Sequence, residues 1–255
     1  AVWEPTGYAA AIFRDALKAH GVRVSGPTRA GLATPAGARQ LASHDSMPLK
    51  ELMIPFMKLS NNMHAENLTK TMGYEATGRA GSWPDGLAAV SSYLKTAGVD
   101  PGKVRQVDGS GLSRKDNAPA DQLIKLLLSA KGEPWYADWY KSLPVACAPD
   151  KFVGGTLRTR MCGTPAALNV RAKTGSLTGA SALSGYVKDA GGRELVFSII
   201  LNNYMPSSVK ALEDAIVVTL AKSTEDKAVL VRPRSERGAE PSGDLECSWR
   251  KPARC

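Results

Sequence analysis

Apolar residues between Pro5 and His20 recur at helical spacing (Tyr8, Ile12, Phe13, Ala16, Leu17), and Gly21 follows as a stop signal, so a helix is predicted there. Val22 and Val24 then begin a short predicted strand that ends at Gly26-Pro27, and Gln40 to His44 reads as another. Pro48 opens a predicted helix through Met57, and Asn62 to Met72 makes a second, closed by Gly73. Gly86 to Ala97 places Leu87, Val90 and Leu94 on one helical face, with Gly98 as its stop. Pro119 to Ala130 is again helical, with Asn117 as the candidate cap.

From Asn169 the period changes to that of strands. Asn169 to Thr174, Ser181 to Lys188 and Glu194 to Asn202 read as three consecutive strands, with Gly191-Gly192 as the tight turn before the last. A final helix from Ser208 to Lys222 is expected to turn Val209, Leu212, Ile216 and Leu220 toward a core. Helices around an antiparallel meander make an α+β domain. Beyond Lys222 apolar periodicity gives way to Pro, Arg, Glu, Ser and Gly. The expected division is therefore a folded part, 1–222, and an exposed C-terminal tail, 223–255.

Composition narrows the class. The 255 residues are 43% hydrophobic, as in soluble globular proteins, and no stretch approaches the roughly 18 apolar residues of a membrane span. The chain starts at Ala1, which reads as a fragment or a processed product. The net charge of +9 comes from 33 basic and 24 acidic residues spread along the chain, without the basic cluster of a nucleic-acid binder. Such a diffuse field suits an anionic polymer or a substrate ending in a carboxylate. The four cysteines fall into two local pairs, Cys147 with Cys162 and Cys247 with Cys255. Two disulfides and an extracytoplasmic setting follow, four separate buried thiols being the alternative. Without CxxC and with three histidines, no metal site is expected.

Two short strings carry candidate chemistry. Ser60-Asn61-Asn62 lies at the junction of two predicted helices, and Lys173-Thr174-Gly175 at the end of a predicted strand. Alone, the first reads most simply as a helix cap and the second as a strand end. Their surroundings are more specific: MKLSNNMHAENLTKTMG, DGSGLSRKD (Asp108–Asp116), GGTLRTR (Gly154–Arg160) and RAKTGSLTGASALSGYV (Arg171–Val187) follow in that order. In these four blocks the chain resembles the low-molecular-mass class C penicillin-binding proteins, the D-Ala-D-Ala carboxypeptidases and endopeptidases that trim peptidoglycan. The resemblance runs from about Pro5 to Lys222.

It implies a penicillin-binding, serine β-lactamase-like domain and an acyl-enzyme reaction on stem peptides ending in D-Ala-D-Ala, with β-lactams as inhibitors and no cofactor. Acyl transfer needs a nucleophile, a base, a proton path to the leaving amine and donors for the oxyanion. By resemblance, Ser60 relays the proton, while Asn62 holds the substrate amide and the lysine of an SxxK motif. Lys173 supplies positive charge, Thr174 bonds the terminal carboxylate, and Gly175 lets a substrate strand approach. The Ser176 amide serves the oxyanion, and Leu112 and Arg114 line a side-chain pocket.

The sequence departs from the pattern at the nucleophile. Only 59 residues precede Ser60, and none of them forms SxxK. The strings Ser92-Tyr-Leu-Lys95 and Ser207-Ser-Val-Lys210 both come later, on predicted scaffold helices, and read as chance matches. The expectation is thus a C-terminal part, with an incomplete sheet and half an active site, whose N-terminal partner segment carries the nucleophile. His64, four residues after Ser60, is expected at solvent rather than in a dyad. Glu66 is expected on the helix surface or in packing. A β-lactamase or esterase on the same fold, a non-catalytic cell-wall-binding homologue and a nucleic-acid-binding module remain alternatives.

Overall fold

A computed structural model describes residues 3–224. The chain divides into two compact units, 1–46 and 47–255. In the first, helix α1 (Pro5–Ala19) is capped by the Glu4 side chain, which accepts from the Gly7 amide, and carries Pro5 in its first turn. The strands expected at 22–27 and 40–44 do not form. At the first of these segments Arg14 of α1 donates to the carbonyls of Val24 (2.8 Å) and Gly26 (2.7 Å), groups that a neighbouring strand would otherwise have to satisfy. No neighbouring strand pairs with 40–44 among the described residues.

The second unit is a three-stranded antiparallel sheet in the order β1 (Arg171–Leu177), β2 (Ala180–Lys188), β3 (Glu194–Asn202), with helices on both faces. Register pairs Lys173 with Ser184 and Thr174 with Leu183, then Leu183 with Ile199. Alternation along β2 sorts the core. Leu183 and Val187 join Ala172, Phe197 and the last helix, α7 (Lys210–Lys222), through Val217 and Ala221. Tyr186 points to the other face, among Met57 of α2 (Leu49–Leu59), Leu127 of α5 (Ala120–Ala130) and the aromatic α6 (Tyr136–Ser142). Its hydroxyl donates to the Leu127 carbonyl at 2.6 Å, so the buried ring leaves no polar orphan.

Helix α3 (Asn62–Thr77) packs on α4 (Trp83–Thr96). Gly73 does not end α3 as its type suggests; it lies inside the helix, where an added Cβ would stand 2.7 Å from the Gly86 amide nitrogen of α4. The two glycines let the backbones touch. Helix α3 instead stops at Gly78, in the left-handed region at φ 67°. Helix α4 begins at Trp83, before the expected Gly86, because Ser82 caps it by accepting from the Asp85 amide. Pro119, not Asn117, occupies the cap of α5, while Asn117 pairs antiparallel with Arg105.

Helix α7 differs in phase from its pattern. Glu213, Val217 and Ala221 are its buried residues, whereas Leu212 and Ile216 are 51% and 37% exposed. The shift follows from one charged group: the Glu213 carboxylate is buried because Ser181 of β2 (2.6 Å) and Arg160 (2.8 Å) both donate to it. Cys147 and Cys162 form the expected disulfide, with Cα atoms 5.0 Å apart. The expected Cys247–Cys255 pair and the rest of the proposed tail beyond residue 224 lie outside the described residues.

Candidate active site

Helix α2 ends at Ser60, a non-glycine residue in the left-handed region (φ 54°, ψ 52°), and α3 starts two residues later. Such a conformation costs about 1 kcal/mol for an L side chain. Two neighbours hold it. The Asn61 side chain caps α3 by accepting from the His64 amide at 3.1 Å, and the Asn61 amide donates to the Phe56 carbonyl at 3.0 Å. Two residues earlier the buried Lys58 ammonium donates to the Leu143 carbonyl, tying the end of α2 to the floor of the domain. Burial, reinforced by the nearby Arg171 charge, lowers its pKa from 10.5 to about 8.

Strand β1 meets this corner. The Lys173 ammonium donates to Ser60 Oγ at 2.6 Å and to the Thr174 carbonyl at 2.8 Å, although 113 residues separate the lysine and the serine. Burial depresses its pKa to about 8. Ser60, Asn62, Lys173, Thr174, Gly175, Ser176 and Leu112 thus line one cleft of about 420 Å³. Nothing in the packing requires glycine at 175, since an added Cβ would meet only Ala182 at an ordinary 3.5 Å. Opposite β2, the segment 173–177 has no strand partner among the described residues, so this edge of β1 is unpaired along the cleft.

The opposite wall is the loop around Ser110, shaped by two carboxylates. Asp108 accepts from the amides of Gly111 (2.6 Å) and Ser113 (2.8 Å). Glu66 accepts from Ser110 (3.0 Å), Gly109 (3.1 Å) and the Trp83 indole (2.7 Å). Burial works to raise the Glu66 pKa, but the hydrogen bonds from Ser110, Trp83 and Gly109 outweigh it and hold the carboxyl below its ordinary value. Glu66 therefore builds the wall and does not line the cleft.

Arg114 is placed elsewhere: its guanidinium donates to the Thr178 carbonyl at 3.0 Å and lines an adjoining pocket instead of this cleft. His64 is not at solvent as expected but half-buried, its ring edge-on to Phe56 at 6.2 Å between centroids. Ser92 and Lys95 are exposed on α4 and form no part of the cleft; of the second string, Lys210 lines it and Ser207 does not.

Thr156 and Arg160 line the cleft without having been singled out from the sequence, and Lys210 was named there only as the end of a chance SxxK string. Thr174 Oγ1 donates to Thr156 Oγ1 at 2.9 Å. Thr156 sits in a short 3-10 turn, Gly155–Leu157, where Gly155 has φ 53° and its missing Cβ would overlap the Lys58 backbone. The Cys147–Cys162 bridge closes the loop that carries both Thr156 and Arg160. Arg160 in turn donates to Asp214 (2.6 Å) and Glu213 (2.8 Å) of α7. The only signal for Thr156 and Arg160 was their place in the GGTLRTR block.

A cleft with an amine on a hydroxyl, a hydroxyl pair on an open strand edge and three basic residues, with no acid in its lining among the described residues, has the groups to pass a proton and to attract an anion. Residues 1–223 match the model of the D-Ala-D-Ala carboxypeptidase 3 (S13) family. The chain is 45% identical over 249 residues to a D-alanyl-D-alanine carboxypeptidase of Actinomadura sp. (strain R39), covering 96% of this chain and 46% of that protein. It is 36% identical to carboxypeptidase DacB of Mycolicibacterium smegmatis, covering 72% of this chain and 40% of that one. Among solved structures, penicillin binding protein 4 (dacB) of Haemophilus influenzae, complexed with a novel β-lactam, superposes with a TM-score of 0.75 at 30% identity. That match covers 88% of this chain and 53% of the other. The chain thus spans about half the length of the relatives it matches. On its fold, its cleft and these matches, the chain belongs to the D-Ala-D-Ala carboxypeptidase 3 (S13) family.

Proposed function

We propose that these residues form the substrate-binding and proton-relay half of a serine D-Ala-D-Ala carboxypeptidase or endopeptidase acting on peptidoglycan stem peptides. The 2.6 Å contact between Lys173 and Ser60 carries the reading. In the proposed reaction the hydroxyl of a serine supplied by an SxxK segment gives its proton to that segment's lysine and bonds to the D-Ala carbonyl carbon, the C–N bond to the leaving D-Ala breaks, and water then hydrolyses the ester. The leaving amine takes a proton from Ser60 Oγ, which regains one from Lys173. A pKa near 8 suits that duty, because an amine poised near ambient pH both gives and regains a proton readily. Asn62 positions the substrate amide, and the Ser176 amide is one oxyanion donor. The substrate lies along the unpaired edge of β1, with its carboxylate on Thr174. Leu112 offers an apolar contact to the stem-peptide side chain. Arg114 joins it only if its bond to Thr178 opens.

No SxxK precedes Ser60 in these 255 residues, so in this reading the nucleophile comes on a further segment, and the chain by itself does not acylate. Two features support that. An apolar cavity of about 560 Å³, lined by Val90, Leu94, Leu123, Leu126 and Ile200, shares Ser110 and Gly111 with the cleft. The outer edge of β3 is unpaired among the described residues. The disulfide favours an extracytoplasmic setting. No described helix is long and apolar enough to cross a membrane.

The test is release of D-Ala from a diacyl-L-Lys-D-Ala-D-Ala peptide once an SxxK segment is fused or added. Release that disappears with Ser60→Ala or Lys173→Ala is expected. Rapid turnover of penicillin without D-Ala release would favour a β-lactamase, and neither activity would favour a non-catalytic wall-binding protein.

A further inference from the structure

The charges that line the cleft are unequal in their commitments. Its lining holds Lys173, Arg160 and Lys210 and, among the described residues, no Asp or Glu. Arg160 is balanced by the carboxylates of Glu213 (2.8 Å) and Asp214 (2.6 Å). Lys173 is engaged with Ser60 Oγ and the Thr174 carbonyl. Lys210 differs from both. Its backbone is tied down, the amide donating to Ser208 Oγ at 3.3 Å and the carbonyl accepting from Arg160 Nη2 at 3.3 Å. Its ammonium makes no ion pair or side-chain hydrogen bond among the described residues.

Nor does the fold account for a cation at this position. Lys210 is the first residue of α7, where the helix dipole favours negative charge and disfavours a cation. The helix has no side-chain cap at Val209 that a lysine could be assisting. The neighbouring Ser207 is exposed and absent from the cleft, so the string Ser207–Lys210 is no nucleophile with its base. What remains is an uncommitted positive charge, on a backbone that is held in place, lining the same cleft as Thr174, Gly175, Ser176 and Leu177.

We infer that Lys210 is a specificity-determining residue: it attracts the carboxylate of the residue on the leaving side of the scissile bond and makes the cleft select a free acid over a neutral C-terminus. This rests on the peptide-binding reading given above. Thr174 supplies a directed hydrogen bond, which an amide oxygen could also accept. Lys210 supplies the charge, which only the acid rewards. Because Lys210 is exposed, its contribution is screened by salt and amounts to about three- to fivefold in affinity.

The experiment uses the 255-residue chain and two probes, N-acetyl-D-alanyl-D-alanine and its C-terminal amide, titrated by chemical-shift perturbation at low and high salt. The parent chain should bind the acid more tightly, with a preference that shrinks as salt rises. Lys210→Ala should reduce the acid-to-amide ratio about three- to fivefold and flatten its salt dependence. Lys210→Arg should keep both, and Lys95→Ala, which removes an exposed charge on α4, should keep the parental ratio. A Lys210→Ala chain that retains the parental ratio and salt dependence overturns the assignment while leaving the peptide-binding reading intact. A parent that binds acid and amide alike overturns the carboxylate reading of the cleft, and the role of Lys210 with it.

Discussion

Replacing Lys58 by Met should change the pH dependence of stability more than stability itself. Lys58 is 2% exposed, its ammonium donates to the Leu143 carbonyl, and its pKa is lowered from 10.5 to about 8 by burial and then by Arg171. That difference corresponds to on the order of 3 kcal/mol against the charged amine in the folded state. Met keeps the unbranched stem and removes this penalty. It also strands the buried Leu143 carbonyl, at about 1–3 kcal/mol. Near neutral pH the two terms nearly cancel. Between about pH 8 and 10.5 the unfolded chain retains a proton that the folded one has released, so the parent gains stability as pH rises, by up to about 1.4 kcal/mol per pH unit. Lys58→Met lacks that gain. Urea unfolding of both chains at a series of pH values should show curves that converge near neutrality and separate above pH 8, the parent becoming the more stable by about 2 kcal/mol or more. Parallel profiles would refute the buried, depressed amine.

Gly86→Ala should destabilise by more than about 3 kcal/mol in the same assay, because its Cβ would overlap the Thr69 backbone where α3 and α4 touch. Replacing Cys147 and Cys162 together by Ala opens a loop of 14 residues and should cost about 3 kcal/mol, read as a lower urea midpoint that reductant no longer shifts. Thr156→Val should weaken binding of the acid peptide severalfold and Thr156→Ser should restore it, since the Thr174 hydroxyl, which donates to Thr156 in the free cleft, can turn to the carboxylate only if the Thr156 hydroxyl then donates to it in exchange. Equal affinity in all three chains would show that the hydroxyl pair only packs.

The three strands and most helices were legible because their periods are undiluted: β2 alternates Ser181, Leu183 and Gly185 inward, and α5 keeps Leu127 and Ala130 in phase. Misreadings arose where one residue type serves two ends. Gly73 has the look of a stop but lets helices touch, and Val22 and Val24 have strand character in a segment whose carbonyls Arg14 takes. Helix α6 was missed because its aromatic run, from Trp135 to Tyr140, packs around Tyr186 on more than one side and so lacks a clean stripe. Helix α7 was read out of phase because no hydropathy pattern sends Glu213 inward. Its burial depends on Arg160 and Ser181, which are far away in sequence. The same limit applies to the cleft. Ser60 and Lys173 stand in recognisable strings, whereas Thr156 and Lys210 become cleft residues only once the 147–162 loop and the start of α7 are folded beside β1.

Labelling with a fluorescent penicillin tests the account most directly. The 255-residue chain should give no covalent band, because in the proposed reading Ser60 is a relay without a partner lysine in an SxxK turn or a second oxyanion donor. The same chain with an SxxK segment fused or added should label, and Lys173→Ala should weaken that band. A band on the chain alone that vanishes with Ser60→Ala would contradict the account, making Ser60 the nucleophile and Lys173, 2.6 Å away, its base.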